Sequence, residues 1–235
     1  MIHSQPSSAL GGFFLFPKRI IIFANGDLPD LEKARALLRD DDFIIAADGG
    51  TRHALALGLT PNVIVGDLDS LPSNFEPLTF NGEIVLYPKD KNETDLELAI
   101  QHALTLNPEQ VTILAALGGR LDQTLGNIAI ISDLRSSTLR HAQSDAFDIH
   151  LDDGVEEIFF CRTTCEINGL PNDIVSLIPW QGEVTGIVTT GLKWPLQNET
   201  LYQNKTRGIS NEMTGDTATV QIKSGFLLIV HRRAD

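Results

Sequence analysis

Pro61-Asn62-Val63-Ile64-Val65 runs straight into Gly66-Asp67-Leu68-Asp69-Ser70. Asn62 to Val65 reads as a short buried strand that the glycine ends. Two carboxylates one residue apart then stand where a parallel strand delivers its C-terminal end, and open α/β sheets bind their ligands at that end. In extended backbone a D-x-D step throws Asp67 and Asp69 to the same side, because side chains alternate with period two. Like charges held that close repel unless a cation lies between them, and a hard divalent ion with oxygen ligands answers this need. Gly, Asp and Ser also make ordinary solvated turns. The site reading gains weight because the pattern recurs along the chain.

Upstream, Arg19 to Ala24 is a continuous apolar strand followed by the turn Asn25-Gly26-Asp27. A helix then opens at Pro29 and Asp30 and runs to Arg39. Phe43 to Ala47 is a second strand ending in Asp48-Gly49-Gly50, with a helix from Thr51 to Gly58. Downstream, Glu83 to Tyr87 is a fourth strand. It ends in the turn Pro88 to Asp95, and Leu96, Ala99, Ile100, Ala103 and Leu104 follow at helical spacing. Val111 to Ala115 is a fifth strand, ending in Gly118-Gly119-Arg120-Leu121-Asp122 ahead of a helix from Gln123 to Leu134. Near-continuous apolar strands alternating with amphipathic helices mark a parallel sheet covered on both faces. Asp48, Asp67, Asp69, Asp95 and Asp122 therefore gather along one edge of that sheet.

The texture changes beyond about residue 140. Ser136 to Asp145 is polar and reads as a connection. Short β-type runs follow at Ile158–Phe160, Ile174–Ile178, Val184–Thr189, Ala218–Ile222 and Phe226–Val230, separated by Gly and Asn turns. The expected fold is an N-terminal Rossmann-like α/β domain with a parallel sheet, followed by an all-β sandwich. The expected division is a loose leader over 1–17, an α/β catalytic domain over 18–140 and a β domain over 141–235.

The 235 residues carry 31 acidic against 18 basic side chains, a formal charge of −13. That balance argues against a nucleic-acid groove or an anionic membrane surface. It leaves room for polyphosphate if Mg²⁺ bridges carboxylate and phosphate oxygens, and it suits a cationic substrate. Cys161 and Cys165, read as lying in one strand, would be beyond disulfide reach and match no zinc pattern. They read as core thiols of a cytoplasmic protein. Met1 to Ser8 lacks the basic start of an export signal, and no stretch reaches the length of a membrane span.

Each strand end admits a local reading beside a functional one. Asp48-Gly49-Gly50 is either a polyphosphate seat before a helix N-terminus or a tight turn. Lys89, Asp90, Lys91 and Asp95 mix cations and carboxylates, and Asp95, three residues after Asn92, fits position N3 of a capped helix. Arg120 is either a phosphate clamp or the surface partner of Asp122, which in turn suits a metal or the orientation of a nucleophile. Trp180 and Trp194 are candidates for stacking on a cation, although a buried place in a sandwich core is the commoner role.

ADGG at 47–50, PNVIVGDLDS at 61–70, the Lys-rich turn ending in ETDLELA, and LGGRLDQTLGN at 117–127 occur here in the order found in thiamine pyrophosphokinases. GIVTTGLKWPL at 186–196 and Arg207 to Glu212 (RGISNE) are similar to that family as well. The resemblance spans roughly 19–230; Ser136 to Asp153 matches no motif. It implies an α/β catalytic domain, a C-terminal β-sandwich and a homodimer with sites at the subunit interface. The implied reaction passes a pyrophosphoryl group from ATP to thiamine, giving thiamine diphosphate and AMP. By the resemblance, Asp67, Asp69 and Asp95 carry Mg²⁺. Asp48, Gly49, Gly50, Lys89, Lys91, Arg120, Asp122 and Gln123 line the nucleotide and reaction site, with Ser210 and Asn211 on thiamine. The rivals are another Mg²⁺-dependent kinase or hydrolase on this fold, and a non-catalytic thiamine or nucleotide sensor.

Overall fold

The computed structural model describes residues 17–136, apart from 74 and 76, and 147–234. The expected leader and most of the polar connection after Ser136 lie outside the described residues. Six strands run parallel: β1 (Arg19–Phe23), β2 (Phe43–Ala47), β3 (Val63–Gly66), β4 (Glu83–Leu86), β5 (Gln110–Leu114) and β6 (Asp148–Asp152). Their order in the sheet is β4-β3-β2-β1-β5-β6. The chain thus winds outward from β1 through β4, then returns to lay β5 on the other side of β1. That reversal opens a crevice beyond the carboxyl ends of β1 and β5.

Period-two alternation in β1 splits the covering layers. Ile20 and Ile22 pack with residues of α3 (Asp95–Thr105) and α4 (Leu121–Ser136), including Ala99, Ala103 and Ile131. Ile21 and Phe23 face the other way, onto Ala34 of α1 (Leu31–Ala36) and Ala54 of α2 (Thr51–Ala56). All four of these β1 side chains are fully buried. Each such burial contributes about 1.5–3 kcal/mol, which is why these four positions are apolar. Asp30 starts α1 by accepting from Glu32 N and Lys33 N, both at 2.9 Å. In α3 the cap is Thr94, whose Oγ1 accepts from Glu97 N at 3.2 Å. Asp95 is therefore the first helical residue, not the third as the spacing from Asn92 suggests.

The sheet does not stop at β6. β7 (Glu156–Cys161), β14 (Leu227–Arg232), β9 (Ile174–Pro179) and β12 (Asn211–Glu212) extend it antiparallel to ten strands. A second sheet of four, β11-β10-β13-β8, packs on this extension; its strands are β8 (Thr164–Asn168), β10 (Val184–Thr190), β11 (Gln197–Leu201) and β13 (Thr217–Gln221). The two halves share a wall. In β7, Ile158 and Phe160 face the helix-covered core, while Phe159 and Cys161 face the sandwich core. Leu228 and the pair Leu227 and Ile229 of β14 divide in the same way. The α/β-plus-sandwich expectation holds, with one continuous sheet running through both parts.

Cys161 and Cys165 do not share a strand. Arg162 and Thr163 break the chain between β7 and β8, so the two cysteines belong to different sheets, and both are free thiols. Among the described residues no helix is long and apolar enough to cross a membrane.

Candidate active site

Asp48, Asp67 and Asp69 bring carboxylate oxygens within 4.8 Å of one another. Adjacency of β2 and β3 causes this, since Asp48 follows the last residue of one strand and Asp67 the last of the other. The extended D-x-D geometry does not operate here. β3 ends at Gly66, and Leu68 takes a left-handed φ of +65° that folds the step into a turn, with Asp69 N donating to Asp67 Oδ1 at 3.2 Å. Asp48 itself has φ +44° and Ala115, at the end of β5, +56°. Left-handed non-glycine residues at three strand ends store strain of the kind that clusters at functional sites.

Asp48 is only 3% exposed and its Oδ1 makes no hydrogen bond. Burial raises its pKa, the charges of Asp95 and Asp67 add to the rise, and donation from Ser70 offsets part of it. A buried carboxylate oxygen without a partner, facing two more carboxylates, is a set of hard donors that fits a divalent cation. Lysines stand in this acidic space. Lys89 Nζ lies 2.6 Å from Asp69 Oδ2, and Lys91 Nζ lies 2.9 Å from Asp95 Oδ1 and 3.7 Å from Asp67 Oδ2. The bond to Lys89 holds Asp69 below the ordinary carboxylate range, and the bond to Asp95 raises Lys91.

A cleft of about 570 Å³ adjoins the cluster. Its walls are the loops after β1 (Asn25 to Asp27), β2 (Asp48), β4 (Lys89 to Leu96) and β5 (Ala115 to Arg120), so it sits at the switch in strand order. Gly118 and Gly119 take φ of +75° and +66°, a pair of left-handed residues that only glycine forms without strain. Gly49 and Gly50 have a different reason for being glycine. A Cβ on Gly50 would lie 2.0 Å from Phe23 O, and one on Gly49 would lie 2.5 Å from the Asn25 side chain. Arg120 bonds Asp122 through two contacts of 3.1 and 2.5 Å, and both side chains are exposed. Gln123 and Arg120 line the cleft; Asp122 is drawn off by the arginine.

Asn25, Asp27 and Asn127 also line the cleft, beyond the residues expected from the sequence. Asn127 Nδ2 donates to Ala116 O at 2.8 Å and so pins the β5 loop to α4. Asn25-Gly26-Asp27 was legible as a turn, and the switch-point rule applied to β1 would have placed it on the cleft. A larger cavity of about 1070 Å³ opens at the opposite strand ends, beside Arg19, Gln110 and Asp148. It holds none of the expected site residues.

Ser210 and Asn211 lie elsewhere again, Asn211 opening β12 at the far margin of the ten-stranded sheet and Ser210 just before it. Ser210 is left-handed, φ +59°, with its N–H donating to Ser176 Oγ at 3.0 Å. Trp180 packs edge-on to Phe160, ring centroids 5.6 Å apart, against the helix-covered core. Trp194 departs from the expectation of burial and is 54% exposed.

Carboxylates, lysines and glycine loops at the carboxyl ends of a parallel sheet, continued into a β-sandwich, define a two-part α/β protein with an acidic cleft at its strand-order switch. Residues 34–142 match the family described as "Thiamin pyrophosphokinase, catalytic domain", and residues 164–227 match "Thiamin pyrophosphokinase, vitamin B1 binding domain". The chain is 29% identical to thiamine pyrophosphokinase of Bacillus subtilis over 190 residues, 79% of this chain and 85% of that one. It is 28% identical to thiamin pyrophosphokinase 1 of Caenorhabditis elegans over 223 residues, 89% and 87% of the two chains. The crystal structure of the Bacillus subtilis enzyme superposes with a TM-score of 0.80 at 26% identity, covering 93% of this chain and all of that one, 100%. This chain belongs to the thiamine pyrophosphokinase family.

Proposed function

We infer that the chain transfers a pyrophosphoryl group from ATP to the hydroxyl of thiamine, yielding thiamine diphosphate and AMP. The observation that carries the chemistry is the cluster of Asp48, Asp67 and Asp69 beside the switch-point cleft, with Asp48 Oδ1 buried and unbonded. We assign Mg²⁺ to Asp67 and Asp69, with Asp48 supplied by the geometry and Asp95 by the resemblance. Bound there, the ion would draw charge from the phosphates and bring the polyphosphate to an acidic wall.

The chain's own groups supply the rest. Lys89 and Lys91 neutralise the aspartates and, at the margin of the cleft, are the cations that would hold phosphate oxygens. Arg120, exposed on the cleft rim, swings from Asp122 to the phosphate that leaves with AMP. Asp122, released, accepts a hydrogen bond from the thiamine hydroxyl and aims its oxygen at the β-phosphorus. The thiamine oxygen bonds to the β-phosphorus as its proton passes to Asp122, the bond from the β-phosphorus to the α–β bridging oxygen breaks, and AMP departs with that oxygen.

A homodimer completes the site. Seven strands separate β12 from β3 in the sheet. At about 4.8 Å per step that is roughly 35–40 Å along the sheet, far beyond the length of thiamine. If the β12 edge binds the thiamine that reacts at Asp67, it must come from a second copy. Leu121 and Leu125, one turn apart at the cleft edge of α4, are 72% and 53% exposed and offer that copy an apolar contact. The two roles divide between a catalytic part over 18–140 and a thiamine part over 141–235. We place the protein in the reducing cytoplasm on its two free thiols.

The test is direct. Purified protein with ATP, thiamine and Mg²⁺ should release AMP and thiamine diphosphate in equal amounts, separated by chromatography. ADP with thiamine monophosphate would overturn pyrophosphoryl transfer, and no thiamine product at all would overturn the substrate.

A further inference from the structure

The loop Gly191 to Pro195, which joins β10 to β11, is laced residue by residue to β12. Thr214 N donates to Gly191 O at 2.9 Å, Leu192 bridges Met213, and Lys193 N donates to Glu212 O at 2.9 Å. The last tie is made by a side chain. Asn211 Oδ1 accepts from Trp194 N at 3.1 Å, and Asn211 Nδ2 donates to Trp194 O at 2.8 Å. The same Oδ1 also accepts from Glu212 N at 3.0 Å. An amide oxygen has two lone pairs and its nitrogen two hydrogens, so this carbonyl is fully used and one N–H is left.

Trp194 is the opposite case. Its backbone N–H and C=O are both held, yet its indole stands in solvent. Lys193 Nζ sits 4.8 Å from the ring centroid and is kept there by Glu212 at 2.7 Å, so one face of the indole is covered by a cation. With 54% of the residue exposed, the ring remains available to a flat ligand. An exposed indole pinned at both backbone groups gives up little freedom on binding.

We propose that Asn211 is a positioning residue: it serves thiamine by fixing the backbone of Trp194, which presents a pre-set indole face to the flat cationic rings, and it does not itself read the ligand. This rests on the thiamine reading above and changes the role that the resemblance implies for Asn211. The aromatic platform is Trp194; Asn211 commits its carbonyl and one of its two N–H groups to the protein.

A double-mutant cycle on the full-length protein decides it, with thiamine affinity read by calorimetry. Asn211→Ala should weaken thiamine binding about tenfold, and Trp194→Ala by at least that much. The double variant should be no more than about twofold weaker than Trp194→Ala alone, because the amide then has nothing to position. Losses that multiply would mean that Asn211 touches thiamine directly, and the proposal falls. Asn211→Asp, which keeps the accepting oxygen and loses the donor to Trp194 O, runs through the same cycle should the alanine variant fold poorly. A ligand-free readout stands apart from the substrate assignment. In a Trp180→Phe background, Asn211→Ala should red-shift and depolarise Trp194 emission, and an unchanged spectrum also overturns the proposal. If the wild-type protein binds no thiamine while Asn211→Ala in the Trp180→Phe background still shifts the emission, the substrate reading falls and the Asn211–Trp194 coupling stands.

Discussion

Gly66 and Asp48 meet across β3 and β2 so closely that a Cβ added to Gly66 would lie 2.9 Å from Asp48 Cβ and 3.1 Å from Asp95 Oδ1. The glycine also holds φ +151°, which side chains rarely adopt. It is the floor on which the two carboxylates rest. Gly66→Ala must strain the backbone and push Asp48 or Asp95 aside. It should lower stability by about 1–3 kcal/mol in urea unfolding and cut thiamine diphosphate formation at least tenfold.

Asp48→Asn should separate stability from activity. Asparagine tolerates the left-handed backbone and keeps the shape, but it removes one of several like charges. Without metal the variant should be more stable than wild type by about 0.5–2 kcal/mol at neutral pH, while turnover falls by orders of magnitude. The sign follows from linkage. The folded-state pKa of Asp48 is raised, so the folded protein binds the proton more tightly and wild-type stability is lost as pH rises through that pKa. The advantage of Asp48→Asn should therefore shrink in thermal melts taken toward pH 4.

The parallel sheet was legible because β1, β2, β3 and β5 are unbroken apolar runs ending in Gly and Asp. β6 was not. Its sequence Asp148-Ile149-His150-Leu151-Asp152 alternates like an exposed strand and follows a polar stretch, yet Ile149 and Leu151 are buried. The two-residue β12 carries no periodic signal at all. Within the site, spacing brought Asp67 and Asp69 together on the page for the wrong reason, since a left-handed Leu68 and not strand alternation does it. The approach of Asp48 depends on which strands are neighbours, and one sequence read alone does not state that. The bonds of Asn211 to Trp194 cross 17 residues between two sheets and leave no local trace.

A buried ionic chain along the shared wall sets the pH range of the fold. His150 Nδ1 lies 2.6 Å from Glu157 Oε1, with Asp148 Oδ1 at 3.9 Å from the other ring nitrogen, and its ring stacks on Phe159. His231, fully buried, lies 2.8 Å from Asp173 Oδ2 and 3.4 Å from Glu157 Oε2, and Arg233 lies 3.7 Å from that same oxygen. Burial alone would lower the His150 pKa, but the bonds and charges of Asp148 and Glu157 overcome it and raise it to about 9. For Glu157 burial works upward, and the two histidines outweigh it and hold the carboxyl far below its usual range. The histidine contribution is complete below about pH 6.5 and is lost as pH climbs through about 9; the glutamate contribution is complete above about 4.5 and is lost in acid. Urea unfolding should show a fall of roughly 3 kcal/mol between pH 7 and 10, most of which His150→Gln removes, while His231, whose pKa rises against its burial through the bonds to Glu157 and Asp173, keeps the rest. A pH-independent wild type over that span would refute the assignment.

Mixing two impaired variants, assayed at thiamine well below the affinity of Trp194→Ala so that each is inactive alone, tests the shared site most sharply. Asp67→Asn damages the strand-end carboxylates and Trp194→Ala the sandwich edge. Asp67 follows β3 and Trp194 is bonded to Asn211 of β12, and seven strands lie between β3 and β12. If each site takes its aspartates from one copy and its indole from the other, a heterodimer of the two variants holds one site with both lesions and one with neither. Random exchange makes half the dimers heterodimers, so activity should return to about a quarter of wild type after unfolding and refolding together. If each chain instead carried its own complete site, every site would hold one lesion and mixing would restore nothing. Sedimentation separates a third outcome: a monomer that is fully active alone would remove the need for a partner. The apolar rim at Leu121 and Leu125 gives a control, because Leu121→Glu with Leu125→Glu should weaken the dimer and lower turnover per chain on dilution. Raising the protein concentration should restore that loss, which a lesion in the chemistry itself would not allow.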